Sequence, residues 1–298
     1  MYKKDHLFTT GAARYKDLMY LSMHNKELEE DEAAHSLFGA YYKGGRGNAG
    51  DTVLWDTKAM CVVKQPSERM LATSEDGEVL TYTGGKSTEE KIPDVEVSVL
   101  NLGVIDGYAY ACGVWRQVFK RVDEGRWEPM HAPEPSKQEK QDAFIVFNSI
   151  AGFSSKDIYV VGSLGQIWHY NGEKWRQIDS PVNCSLNAVV CGGDGYVYIC
   201  GDKGVLLRGR NDEWTVISEP STRSNYWDAH WFNDRLYMTT MDELMKYTKK
   251  DGVQPVNYNG IKDYPSSCYH LTSAEGVMWS IGSQDILSFD GKKWTRIE

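Results

Sequence analysis

Histidines, cysteines, glycine-rich turns and clustered carboxylates are where this 298-residue sequence could do chemistry. The seven histidines stand at positions 6, 24, 35, 131, 169, 230 and 270 and form neither a His-x-His nor a His-Glu-x-x-His pattern. Those are spacings that bring two imidazoles to one metal ion. His230 and His270 are predicted to approach each other in a shared channel, because they hold related places in two successive repeats. There they either act on a ligand or metal or simply fill polar space. His169, beside Trp168, is expected to face solvent or bond locally. Gly45-Arg-Gly47-Asn-Ala-Gly50 has the form of a dinucleotide cradle, which requires a strand before it and a helix after it. Residues 51–56 read as a strand instead, so the glycines are expected to form a flexible loop. No Gly-x-Ser-x-Gly elbow offers a serine nucleophile, and the six cysteines lack Cys-x-x-Cys spacing and are expected to be free thiols. No catalytic, cofactor-binding or metal-binding residue is assigned.

Partner-binding residues are easier to nominate. Glu27, Glu29, Glu30, Asp31 and Glu32 form an acidic run within a predicted short helix over 25–38, with Asn25 suited to its N-cap. Trp115 and Arg116 interrupt a turn that is small or polar elsewhere, and Tyr226 and Trp227 form a second aromatic pair. Trp, Tyr and Arg dominate protein interface energetics, although several of these side chains suit a buried core equally well. The net charge of −9 argues against nucleic acid, whose phosphates recruit clustered Lys and Arg. It is compatible with a basic protein partner, and also with charge that serves solubility alone. The first eleven residues lack the apolar run of a secretory signal, and no segment approaches membrane-spanning length. The expected location is therefore cytoplasmic, with no membrane partner.

The elements that must position these residues are repeats. Segment 157–175 recurs at 195–214 and 276–294, with fainter copies at 68–83, 107–127 and 234–248. An aromatic or large apolar column, Leu71, Tyr110, Tyr159, Tyr198, Tyr237 and Trp279, has spacings of 39, 49, 39, 39 and 42 residues. Alternation around it, as in Tyr196-Val-Tyr-Ile-Cys200, is the period of a strand with two distinct faces. Gly77, Gly165 and Gly204 follow in turns that need positive φ. Asn171-Gly172 and Asp290-Gly291 mark the next hairpin, and an outer strand carries Trp127, Trp175, Trp214 or Trp294. An earlier strand completes four per repeat. The 49-residue spacing contains a Pro-rich polar insertion at 131–142.

Four antiparallel strands per period of about 40 residues define a propeller blade, which cannot bury both faces alone. The expectation is all-β: one closed β-propeller spanning 1–298, with 58–298 as six repeats. Residues 1–57 would form an irregular N-terminal blade with a helical excursion, making seven blades; six blades plus an appendage is the alternative.

The core 157–162 with Gly165, followed by Tyr170-Asn171-Gly172-Glu-Lys-Trp175, resembles the bacterial repeats grouped as WD40/YVTN-like, BNR-like or photosystem-assembly-factor-like propellers. The resemblance covers roughly 240 residues and implies architecture rather than activity. Sialidases of this group carry Ser-x-Asp-x-Gly-x-x-Trp boxes, and Ser288-Phe-Asp290-Gly291-Lys-Lys-Trp294 is one residue short of that form. Neither an arginine triad nor a nucleophilic tyrosine can be assigned.

With no catalytic set, the expected function is a non-catalytic protein-binding scaffold. Its sharpest form is a bacterial immunity protein whose acidic face captures a cognate, basic toxin; an assembly factor of a larger complex is the rival within the class. The competing class is a glycan-acting enzyme or lectin using the channel mouth.

Overall fold

In a computed structural model, which describes residues 2–30, 33–42, 44–48, 50–95, 98–142, 144–218 and 224–298, every sheet is a four-stranded antiparallel meander. Seven such sheets occur, at 6–48, 59–91, 99–129, 147–178, 186–216, 228–255 and 270–296, and we number them blades 1 to 7. The chain is a seven-bladed β-propeller, which removes the six-blade alternative.

Each interface between neighbouring blades holds one cluster of buried apolar side chains, and the seven clusters form a ring. The column read from the sequence lies at its centre: Leu71, Tyr110, Tyr159, Tyr198, Tyr237 and Trp279 are all buried. Tyr198 stacks on Trp231 of the next blade with ring centroids 5.3 Å apart, and its hydroxyl donates to Asp194 over 2.8 Å. The outer tryptophans cover the rim, Trp175 donating from Nε1 to the Met130 carbonyl at 2.7 Å and Trp294 stacking on Phe289 at 4.6 Å.

Turns follow the repeat. Leu164-Gly165 and Lys203-Gly204 both take positive φ, 58° and 70° in the first pair, 59° and 70° in the second. Gly162 and Gly201 are extended, and a different constraint selects glycine there: a Cβ at Gly162 would lie 1.7 Å from the Val146 carbonyl oxygen.

Blade 1 corrects several sequence expectations. Its strands are His6–Tyr15, Leu18–Asn25, Leu37–Tyr42 and Gly45–Asn48. Residues 51–56 form no strand, only an isolated bridge between Ser36 and Val53. The glycine motif is no loop either: it supplies the outer strand, pairing Gly39 with Asn48 and Tyr42 with Gly45. The helix α1 spans Lys26–Glu30 rather than 25–38, because Leu37–Tyr42 instead pairs along Leu18–Met23. Asn25 does cap it, its Oδ1 accepting from the Glu27 amide at 2.9 Å.

Among the described residues no strand is exchanged between blades 1 and 7. The ring closes through side chains, with Phe8, Met19, Leu21, Met23 and Tyr41 packed against Trp279, Ile281 and Ile286, and through the Phe8 amide donating to the Ser283 carbonyl at 2.8 Å. The fully buried carboxylate of Glu298 accepts from the Tyr41 hydroxyl and pairs with Arg46 at 2.7 Å.

The 131–142 insertion runs between blades 3 and 4 and contains helix α2, Lys137–Asp142. Ser136 and Glu139 form a reciprocal capping box, Ser136 N to Glu139 Oε2 at 2.8 Å and Glu139 N to Ser136 Oγ at 3.2 Å.

Candidate functional site

Strand direction alternates within each blade, so the turns between second and third strands emerge on one face together with the connections from blade to blade. The first strands of all seven blades line the central channel, a cavity of about 410 Å³. Most of its wall is small or apolar, including Ala12, Ala13, Ala151, Gly152, Val189 and Val190. One polar cluster interrupts it. His270 Nδ1 lies 2.9 Å from Asp228 Oδ2, which also accepts from the Leu271 amide at 2.8 Å, and His230 Nε2 lies 2.7 Å from Ser273 Oγ.

Burial pushes the His230 imidazole down to about pKa 4, so it is neutral near pH 7. Burial also disfavours the charged forms of Asp228 and His270, but their mutual attraction outweighs it. The carboxyl is held below its ordinary value and the imidazole above. The carboxylate thus orients one histidine while the serine bonds the other, so the Ser–His–Asp order needed to activate a hydroxyl is divided between two histidines. The cluster can bind polar groups by hydrogen bonding. Among the described residues, no group of three or more His, Cys, Asp or Glu side chains converges to hold a metal ion. His169 is buried, stacked on Tyr159 at 4.4 Å and bonded to Asp157 at 2.9 Å.

The described residues among those nominated from sequence for partner binding lie on connections of the face defined above. Glu27 and Glu29 are exposed on α1, with Glu29 paired to His24 Nδ1 at 2.6 Å. The Glu30 side chain, Asp31 and Glu32 lie outside the described residues. Arg116 is buried and turned inward: its Nε donates to Gln166 at 2.9 Å, its Nη2 to Glu139 at 2.7 Å, and its guanidinium lies over Trp168 at 4.9 Å. It ties the insertion down onto blades 3 and 4. Trp115 is half-covered, with Lys140 Nζ 4.0 Å above its ring. Tyr226 is fully buried between blades 5 and 6, whereas Trp227 is 49% exposed. The described ones among the nominated residues are therefore not gathered into one cluster.

Sequence reasoning missed Met241, Asp242, Glu243, Tyr264 and Tyr269, exposed on the same face as Trp227. Met241 carried a signal, an apolar residue at the start of a turn. Nothing in the pattern marked the two tyrosines as exposed.

Seven contiguous four-stranded blades around a narrow channel place the chain in the propeller class, and solved structures agree. It is similar to YCF48 bound to D1 peptide (TM-score 0.69, 12% identity, 97% of this chain and 93% of that one). The WD40 propeller domain of Doa1 is comparable (0.69, 11%, 95% and 92%), as is virginiamycin B lyase from Staphylococcus aureus (0.65, 14%, 80% and 83%). At these identities the likeness shows the fold alone. No protein-family model matches.

A curated relative goes further. The chain is 38% identical over 301 residues to the immune protein Tsi7 of Pseudomonas aeruginosa, covering 97% of this chain and 96% of Tsi7. The chain belongs to the Tsi7 family.

Proposed function

We propose that this protein is an immunity protein that binds a cognate protein toxin and neutralises it by covering its active site. The end-to-end similarity to immune protein Tsi7 carries the reading. A rigid propeller with a broad connection face supports it. The mechanism is capture without turnover: binding energy from a preformed surface, with no bond made or broken and no cofactor needed. We read residues 1–298 as one folded unit. The net charge of −9 favours a basic toxin such as a nuclease over a nucleic acid as the direct partner. Among the described residues no helix is long and apolar enough to cross a membrane, and we place the protein in the cytoplasm, where it would meet a toxin acting there.

The test is protection. Cells expressing the protein encoded by the adjoining reading frame should die without this chain and survive with it, and the two should co-purify as a stoichiometric complex. Protection should persist when His230 and His270 are both changed to Ala in a variant shown to fold. Loss of protection with the complex intact would point to channel chemistry instead. A chain that comes down with a metabolic complex and protects cells from nothing would refute the reading.

A further inference from the structure

Among the described residues thirteen large apolar side chains are exposed, and eight project from the face formed by second-to-third-strand turns and blade-to-blade connections: Leu28, Leu54, Phe144, Leu164, Trp227, Met241, Tyr264 and Tyr269. Four of these stand around the junction of blades 6 and 7. Thr239, at the end of one strand, organises three of them. Its carbonyl accepts from the Trp227 amide at 2.9 Å, its hydroxyl donates to the Tyr269 carbonyl at 3.2 Å, and Met241 lies two residues on, its carbonyl accepting from the Cys268 amide at 3.3 Å. The fourth, Tyr264, rests on buried Tyr258 with ring centroids 5.6 Å apart, and Tyr258 in turn meets Trp294 at 5.1 Å.

Exposures of 49% for Trp227, 63% for Met241 and 63% for Tyr264 leave wide apolar surface to water on well-anchored backbone. Isolated exposed apolar residues need no explanation, but an anchored group does. Asp242 and Glu243 stand exposed beside them, and with Tyr264 they line a depression of about 230 Å³. Among the described residues neither carboxylate pairs with a lysine or arginine.

We propose that Trp227, Met241, Asp242, Glu243, Tyr264 and Tyr269 form the surface that docks a basic face of the partner protein. Arginine side chains of the partner suit it doubly, stacking on the exposed rings while pairing with the two carboxylates. The same carboxylates repel nucleic acid and a second copy of this patch. The proposal rests on the toxin-binding reading above and adds where the toxin sits and what chemistry it presents.

The experiment uses the full chain and the protein encoded by the adjoining reading frame. Binding kinetics are measured at several salt concentrations for the wild type, Trp227→Ala, the pair Asp242→Lys with Glu243→Lys, and Glu173→Lys, which lies on the opposite face. Thermal melts confirm that each variant folds, and hydroxyl-radical footprinting maps protection. Trp227→Ala is expected to weaken binding about 30-fold or more, mainly through faster dissociation. The charge-reversal pair should slow association about tenfold or more and flatten its salt dependence, and Glu173→Lys should stay within about twofold of wild type. If the partner is neutralised and bound undiminished by the patch variants, or protection maps to the opposite face, the surface assignment falls while the immunity reading stands. Concentration-dependent self-association through the patch would overturn the assignment of its occupant. If the wild type neutralises nothing encoded beside it, the immunity reading itself falls and takes the patch with it.

Discussion

Glu90 on the outer strand of blade 2 and Arg121 on the third strand of blade 3 form an ion pair inside the interface between blades. Arg121 Nε donates to Glu90 Oε2 at 2.9 Å and Nη2 to Oε1 at 2.6 Å, and the two side chains are 0% and 5% exposed. Replacing one member strands the other as an uncompensated buried charge, which typically costs about 3–5 kcal/mol. Glu90→Ala should therefore lower the melting temperature by roughly 10 °C in a chain of this size, followed by circular dichroism or tryptophan fluorescence. A double variant, Glu90→Leu with Arg121→Met, removes both charges and should recover most of the loss, since well-packed apolar replacements of buried pairs are often neutral or better. A double-mutant cycle measures that recovery as coupling. The pair also predicts a pH dependence. Burial alone would raise the Glu90 pKa, but Arg121 outweighs it and holds the carboxyl below its ordinary value. Its stabilisation is then fully present above the unfolded-state pKa, about 4.3, and is lost as pH falls through the lower folded value. The reasoning is refuted if Glu90→Ala costs less than about 1 kcal/mol, or if the double variant is no more stable than the single one.

Tyr198→Ala removes a stacked, hydrogen-bonded ring from the interface between blades 5 and 6 and should cost about 3–5 kcal/mol, read as a lower urea midpoint with folded-state binding retained. The thiols of Cys61, Cys112 and Cys200 are buried, and burial raises their pKa values, that of Cys61 to about 12. They should resist iodoacetamide until urea unfolds the chain, half-exposed Cys184 reacting first; rapid native labelling of Cys200 would contradict the packing. In the channel, folded His230 should titrate near pH 4 and His270 above 6.5, resolved by NMR. A folded pKa below the unfolded one makes His230 destabilising as pH drops from about 6.5 to about 4. His270, shifted upward, instead contributes stability below about 6.5 that is lost as pH rises through its folded pKa. His230→Asn should leave only the latter slope.

The propeller was legible because the copies share columns: a buried aromatic at all but Leu71, a positive-φ glycine at 77, 165 and 204, and a rim tryptophan at 127, 175, 214 and 294. Blade 1 was less legible because close packing selects small residues there. A Cβ at Gly11 would lie 2.6 Å from the Tyr20 carbonyl oxygen and 2.7 Å from Ile281 Cδ1, so its first strand carries glycine and alanine where a strand pattern would be sought. The outer strand Gly45–Asn48 is hidden likewise, as a Cβ at Gly47 would sit 3.2 Å from the Tyr42 ring. Carboxylate-rich composition extended the helix on paper to residue 38, but hydrogen bonding to the neighbouring strand claims Leu37–Tyr42. At the candidate surface, the inward turn of Arg116 depends on Gln166 and Glu139, 50 and 23 residues away, a pairing that local pattern does not encode. Tyr226 and Trp227 differ because adjacent residues point to opposite sides, which fixes that one is buried and not which one.

Because each blade is drawn from one uninterrupted stretch of chain, the order in which blades are strung together is independent of the ring they build. Cutting between any two blades and joining residue 298 to residue 2 through a short linker would leave every sheet whole, since among the described residues no sheet spans the seam between blades 1 and 7. The same independence makes a whole blade the natural unit of duplication or loss in the gene: adding one changes the circumference of the ring and the width of its opening without leaving an orphan strand.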